Sequence, residues 1–201
     1  MIGWREDLGW RITCRENLPP PNRDDTMATK KTAMFTLTER LTLATGADPT
    51  ASATIDLGSY VDVGDRQALQ IHSVDFIYQG ATGSLHVNAS MPNNSSALIQ
   101  VLDLNRGGLV FANDRALISS GVMHLDGNGG YSSDADLYPD NYGKGADDGR
   151  FVVNDALYVE AIIDGTSVAA TNITVRVNAS IVTLSQKDFM AIAIQSTAAD
   201  N

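Results

Sequence analysis

Asn172–Ser185 reads NITVRVNASIVTLS, and this stretch decides the fold. Ile173, Val175, Val177 and Ala179 fall on one side of an extended chain. Asn172, Thr174, Arg176 and Asn178 fall on the other. A period of two sustained over this length predicts a strand with one buried face and one wet face. Such a strand cannot stand alone, because an isolated strand or hairpin is marginal in water. The segments before it must supply the rest of a sheet.

Working backwards, the same alternation recurs. Residues 34–44 (MFTLTERLTLA) place Phe35, Leu37, Leu41 and Leu43 together, with Glu39 on the same apolar side. Residues 53–63 predict a second strand, bent at Gly58. Residues 68–79 start in phase at Leu69 and Ile71, slip by one, and resume at Val74, Phe76 and Tyr78. A slip of one residue predicts a β-bulge near His72–Ser73. Further strands are expected over 84–90, 97–104 and 151–163, with two short ones around Asn113–Asp114. Asp164–Gly165 is a hairpin signal. Residues 126–150 read as one long loop, and 186–195 as a short helix or an extended arm. No internal repeat is visible, which excludes a propeller or solenoid reading. The expected architecture is an all-β, eight-stranded antiparallel β-sandwich over 34–185. An N-terminal extension over 1–33 and a C-terminal tail over 186–201 flank it.

Composition narrows the function. The chain of 201 residues carries 14 Lys and Arg against 24 Asp and Glu, a net charge of −10. Packaging a genome by counterion release needs several cations per chain. Between Met27 and Leu41 the cations are Lys30, Lys31 and Arg40, so direct nucleic acid binding is not expected. Cys14 is the single cysteine, and no intrachain disulfide can form. Residues 1–26 hold both tryptophans and the Pro19–Pro21 run but no apolar signal core. Met27 reads as a natural start of the functional protein, and 1–26 as a flexible arm.

Candidate chemistry is sparse. His72, His86 and His124 show no H-x-H spacing, and each reads as a surface or loop side chain. No nucleophile elbow or phosphate loop occurs, so no catalytic residue is assigned and the chain is read as a non-enzyme. Asp126, Asp134, Asp136, Asp140, Asp147 and Asp148 cluster in the long loop. Their plain reading is a solvated acidic loop. The alternative is a structural Ca²⁺ bridging loops or subunits, since hard oxygen ligands suit it. Asn88, Asn93, Asn94, Asn172 and Asn178 each begin an Asn-x-Ser/Thr triplet, read here as wet-face strand and turn residues.

The run of alternating strands over Phe35–Ser185, the N-terminal arm, the late loop Asp126–Arg150 and the apolar tail together resemble the single jelly-roll viral capsid (coat) proteins. The resemblance implies two packed four-stranded sheets in jelly-roll topology, and self-assembly with other copies into the closed shell of an icosahedral virion. The missing Arg-rich arm departs from the small RNA virus pattern. A second capsid protein or an internal membrane would then lie between shell and genome. Assembly contacts are expected from Trp4 and Trp10 of the arm and from Phe189, Met190, Ile192 and Ile194 of the tail. Deleting 187–201 is expected to weaken assembly and leave the fold intact. The alternative is a β-sandwich carbohydrate-binding or fibre/adhesin module, with Tyr131, Tyr138 and Tyr142 stacking on sugar rings.

Overall fold

The computed structural model describes residues 28–82, 87, 90–128, 130–138 and 149–197. Its strands are β1 (Ala28–Lys30), β2 (Phe35–Leu43), β3 (Gly46–Ala47), β4 (Thr50–Asp56), β5 (Gln67–Gly80) and β6 (Ser95–Leu102). They continue with β7 (Leu117–Leu125), β8 (Tyr131–Tyr138), β9 (Arg150–Val152), β10 (Ala156–Asp164), β11 (Thr166–Ser167) and β12 (Thr171–Leu184). Helix α1 (Gln186–Thr197) follows.

Two antiparallel sheets form the sandwich. One runs β2–β12–β5–β9, with β1 continuing the β2 edge along β12; the other runs β4–β10–β6–β7–β8. The pairing is nested: β2 with β12, β4 with β10, β5 with β9, and β6 with β7. Nested pairs mean that the chain is one long antiparallel hairpin, rolled so that its arms divide between two sheets. That is jelly-roll topology, and the strand pairing alone establishes it.

β12 is the central strand. It is hydrogen-bonded to β2 on one side and to β5 on the other, over Thr171–Ala179. Its inward residues Ile173, Val175, Val177 and Ala179 are fully buried in the main core with Leu69, Ile71, Ile99, Leu157 and Ile163. Burial of each Ile, Leu or Val side chain among them contributes about 1.5–3 kcal/mol. The bulge expected near His72 is present: Asn178 faces Ser73 while Ala179 faces Ile71, so His72 has no partner across the ladder. The extra residue reverses the parity of β5 and keeps both Ile71 and Val74 in the core. His72 Nε2 lies 2.9 Å from Ser180 Oγ. Burial, and then the charge of Lys30, hold its pKa below the ordinary histidine value.

Beyond Ala179 both faces of the sheet are covered. Val182 and Leu184 belong to a second cluster with Ala28, Ala68, Val153 and Phe189. Helix α1 lies over this outer face, bringing Phe189, Ile192 and Ala193. Ser185 is its N-cap: the Ser185 hydroxyl accepts from Asp188 N at 3.2 Å and donates to the Asp188 carboxylate.

Several expectations are corrected. The predicted strand 53–63 spans Thr50–Asp56 and stops before Gly58, whose N–H donates to Asp56 Oδ1 at 2.8 Å in a turn. The stretch 109–119 is loop to Ala116, after which β7 runs unbroken through Gly121. The long loop 126–150 contains a strand, β8, paired with β7. Asp164–Gly165 does not close a hairpin. β10 and β12 lie in different sheets, and the turn carries the chain across, with Gly165 N donating to Asp48 Oδ1 at 2.8 Å. Of the strand expected over 84–90, residues 84–86, 88 and 89 lie outside the described residues; Ser90 N donates to Val87 O at 2.9 Å.

Candidate assembly surface

The loop between β6 and β7 is built to hold its shape. Gln100, buried on β6, donates from Nε2 to Val110 O and accepts at Oε1 from Val110 N, both at 2.8 Å. Arg106 pairs with Asp114 at 3.4 Å, and Asp114 Oδ1 caps Ala116 N at 2.8 Å. This clamp presents Phe111, 86% exposed, with Leu109 two residues before it. A rigid loop displaying an aromatic ring has little entropy to lose on binding, which favours such rings as interface anchors.

The base of that loop is tied to β9. Asp103 is 3% exposed, and its Oδ2 accepts from Arg150 Nη2 at 3.1 Å. Arg150 Nη2 also donates to Arg115 O at 2.7 Å, and Asn154 Nδ2 to Asp103 O at 2.7 Å. Asp103 Oδ1 and Arg150 Nε have no hydrogen-bond partner. Burial pushes the Asp103 pKa up, against the Arg150 charge and hydrogen bond, which pull it down. A cavity of about 90 Å³ lies between this pair and Ile192, Gln195 and Ser196 of α1. The pair therefore joins the loop base to the β9 edge.

A larger open groove, about 620 Å³, runs along the outer face of β4 and β10 under Asn105–Leu109. Tyr158 and Glu160 line it, and burial raises the Glu160 pKa. Among the described residues the sheets end in four edges: β2, β9, β4 and β8. β2 carries a half-buried Glu39 among its inward positions, a charge that discourages strand addition. β9 is 3 residues long. β8 contains Asp134 and Asp136. β4, TASATID, has no charge before Asp56.

The tail residues divide by helix face. Phe189 is buried and Ile192 packs beside it, so both are used within their own chain. Met190 and Ile194 are 55% and 61% exposed. Trp4, Trp10 and Cys14 lie outside the described residues, as do His86 and Tyr142. Asp140, Asp147 and Asp148 also fall outside them, and of the remaining acids of that segment only the Asp126 side chain is described. It turns inward on its own loop, accepting from Asn128 N and Gly130 N at 2.8 and 2.7 Å. His124 Nδ1 is 2.7 Å from Ser96 Oγ. Among the described residues no three His, Cys, Asp or Glu converge as metal ligands, and no helix is long and apolar enough to cross a membrane. Sequence reasoning missed the Gln100 clamp and the Asp103–Arg150 tie, because polar residues inside a strand or loop carry no periodic signal.

No protein-family model and no curated protein matches the sequence. Among solved structures the chain is similar to Trichodysplasia spinulosa-associated polyomavirus VP1, solved in complex with sialylated precision glycooligomers. That match has a TM-score of 0.36 and 9% identity, over 79% of this chain and 98% of that one. It is also similar to Desmodium yellow mottle tymovirus, with a TM-score of 0.34 and 11% identity, over 86% of this chain and 97% of that one.

Proposed function

We propose that this chain is the structural subunit of a viral capsid, and that copies of it assemble into a closed shell without catalysing a reaction. The observation that carries the reading is the pairing of a rolled jelly-roll sandwich with apolar groups held outward on rigid supports. Phe111 stands on a clamped loop, and Met190 and Ile194 on a helix docked to the sheet. Met190 and Ile194 stand four residues apart on one face of α1, and exposed apolar side chains there gain from burial against a partner surface. The partners are other copies of the chain, and the place of action is the virion. With a net charge of −10, contact with a genome would pass through a second capsid protein or an internal membrane. A Ca²⁺ bridging subunits through the acidic segment is the cofactor this reading allows.

The groove with Tyr158 and Glu160 supports a second reading, a carbohydrate-binding or fibre module, since an aromatic beside a carboxylate suits a sugar ring. The two separate on assembly. Met190→Asp with Ile194→Asp places charge on the exposed tail face, where the fold does not need apolar atoms. The expected result is an unchanged thermal midpoint and loss of particles in negative stain. Particles as abundant as those of the parent chain would remove the tail from the interface.

A further inference from the structure

We propose that two copies of this chain pair edge to edge through β4, antiparallel about Ala53, so that their β4–β10–β6–β7–β8 sheets become one continuous sheet. The inference rests on the assembly reading and names one contact within it.

The backbone geometry of β4 sets which groups are available. Leu57 N donates to Asp155 O at 2.7 Å, and Ile163 N donates to Pro49 O at 3.0 Å. Main-chain groups alternate sides along a strand, so odd-numbered residues turn theirs to β10. Thr50, Ser52, Thr54 and Asp56 turn theirs outward at the open edge. The register to β10 runs from Asp56↔Ala156 to Thr50↔Ile162 with no shift. The edge is thus straight, unbulged and free of proline. These are the features natural edges avoid unless a strand is added to them. Of the other edges, β2 is guarded by Glu39, β9 by its shortness, and β8 has two aspartates in its sequence; β4 has none of these before Asp56.

The strand is also complementary to itself. Centred on Ala53, Ser52 falls opposite the second copy's Thr54, and Thr50 opposite the second copy's Asp56. These are outward-turned positions, so they form the hydrogen-bonded pairs of an antiparallel ladder. The single carboxylate meets a hydroxyl that can donate to it, and the two Asp56 lie at opposite ends. Ala53 meets itself, and Ala51 meets the second copy's Ile55, in the close non-hydrogen-bonded pairs where small side chains fit. On the inward side the half-buried Phe35, Leu37, Ala51, Ala53 and Tyr60 border the mouth between β2 and β4. A second copy would cover them. Centring on Ser52 or Thr54 instead shortens the ladder and leaves strand ends unpaired.

The test uses the full chain with Cys14→Ser, so that an engineered thiol is the only one. In Ala53→Cys the two self-facing Cα atoms lie about 4.5 Å apart, inside the disulfide range of roughly 4.4–6.8 Å. In Ala51→Cys the two copies of the residue are offset by roughly 14 Å along the strands. The expected result is a disulfide-linked dimer from Ala53→Cys in air and almost none from Ala51→Cys. Thr54→Pro removes an N–H that faces outward and leaves the β10 ladder whole. It should weaken self-association at least about tenfold, equivalent to 1.4 kcal/mol, by sedimentation at matched concentration. If Thr54→Pro melts early, Ser52→Lys serves instead, a charge at the edge in place of the lost donor. Failure of Ala53→Cys to cross-link, or equal cross-linking by Ala51→Cys, overturns the proposal. So does parental association in both edge variants. Shells that survive both variants would sink the β4 contact and leave the capsid reading standing. Cross-linked dimers from a chain that never forms shells would do the reverse.

Discussion

Arg150→Ala is expected to destabilise the sandwich by about 3 kcal/mol at neutral pH, the lower end of what breaking a buried ion pair costs. The lower end applies because the Arg150 side chain is 27% exposed while Asp103 is nearly enclosed. Removing the guanidinium leaves the Asp103 carboxylate buried beside an already unpartnered Oδ1. It also frees Arg115 O and loosens β9 from the loop base. The pH dependence has a definite sign. Asp103 already has a raised pKa from burial, and Arg150 is the main influence lowering it. Without Arg150 the folded-state pKa rises further. A raised carboxylate binds its proton more tightly in the folded state, so its contribution is present at low pH and lost as pH rises through the folded pKa. The gap between variant and parent should therefore be largest at neutral pH and shrink on acidification. Asp103→Asn in the Arg150→Ala background should recover part of the loss at pH 7. Urea unfolding across pH checks this; a gap that does not change with pH would mean that Arg150 acts by packing alone.

Phe189→Ala should cost about 3 kcal/mol or more, the range for emptying a buried aromatic site. For a domain of this size that is a fall in midpoint of roughly 6–12 °C. The ring fills the space over Ala68, Val182 and Leu184, which would otherwise face water. Truncation at 187 removes the same ring together with Asp188, the partner of the Ser185 N-cap. It should therefore lower stability as well as any assembly. This changes the expectation drawn from sequence, that the tail can be deleted with the fold intact. Calorimetry of Phe189→Ala and of the truncated chain decides it: unchanged midpoints in both would show the helix to be dispensable to the fold.

The contrast between tail and core shows what the sequence makes legible. Ile173, Val175, Val177 and Ala179 could be placed from periodicity because one face of β12 is buried and the other is not. The bulge at His72 was visible for the same reason: parity reversed between Ile71 and Val74. Where both faces are covered the signal disappears. Ile181–Leu184 reads IVTL, with apolar residues on both faces, and nothing in it announces that α1 lies across the outer face. β8 was missed because YSSDADLY alternates no apolar face and sits among Gly and Asp. Asp164–Gly165 misled because a turn motif reports local backbone preference, not which sheet the next strand joins. The nesting of strand pairs depends on contacts far apart in the chain, so the family resemblance could suggest the roll but pairing had to establish it. The open edge at β4 is a property of the topology, and the five small residues Thr50–Thr54 give no hint that they border a sheet.

Self-assembly is tested most simply by the size of the particle formed by the purified full chain, read by light scattering and negative-stain microscopy with and without a calcium chelator. Uniform closed shells are expected, and their loss on chelation would place Ca²⁺ between subunits. A monodisperse monomer or trimer under every condition would contradict the capsid reading and turn attention to the groove beside Tyr158 and Glu160 as a glycan site.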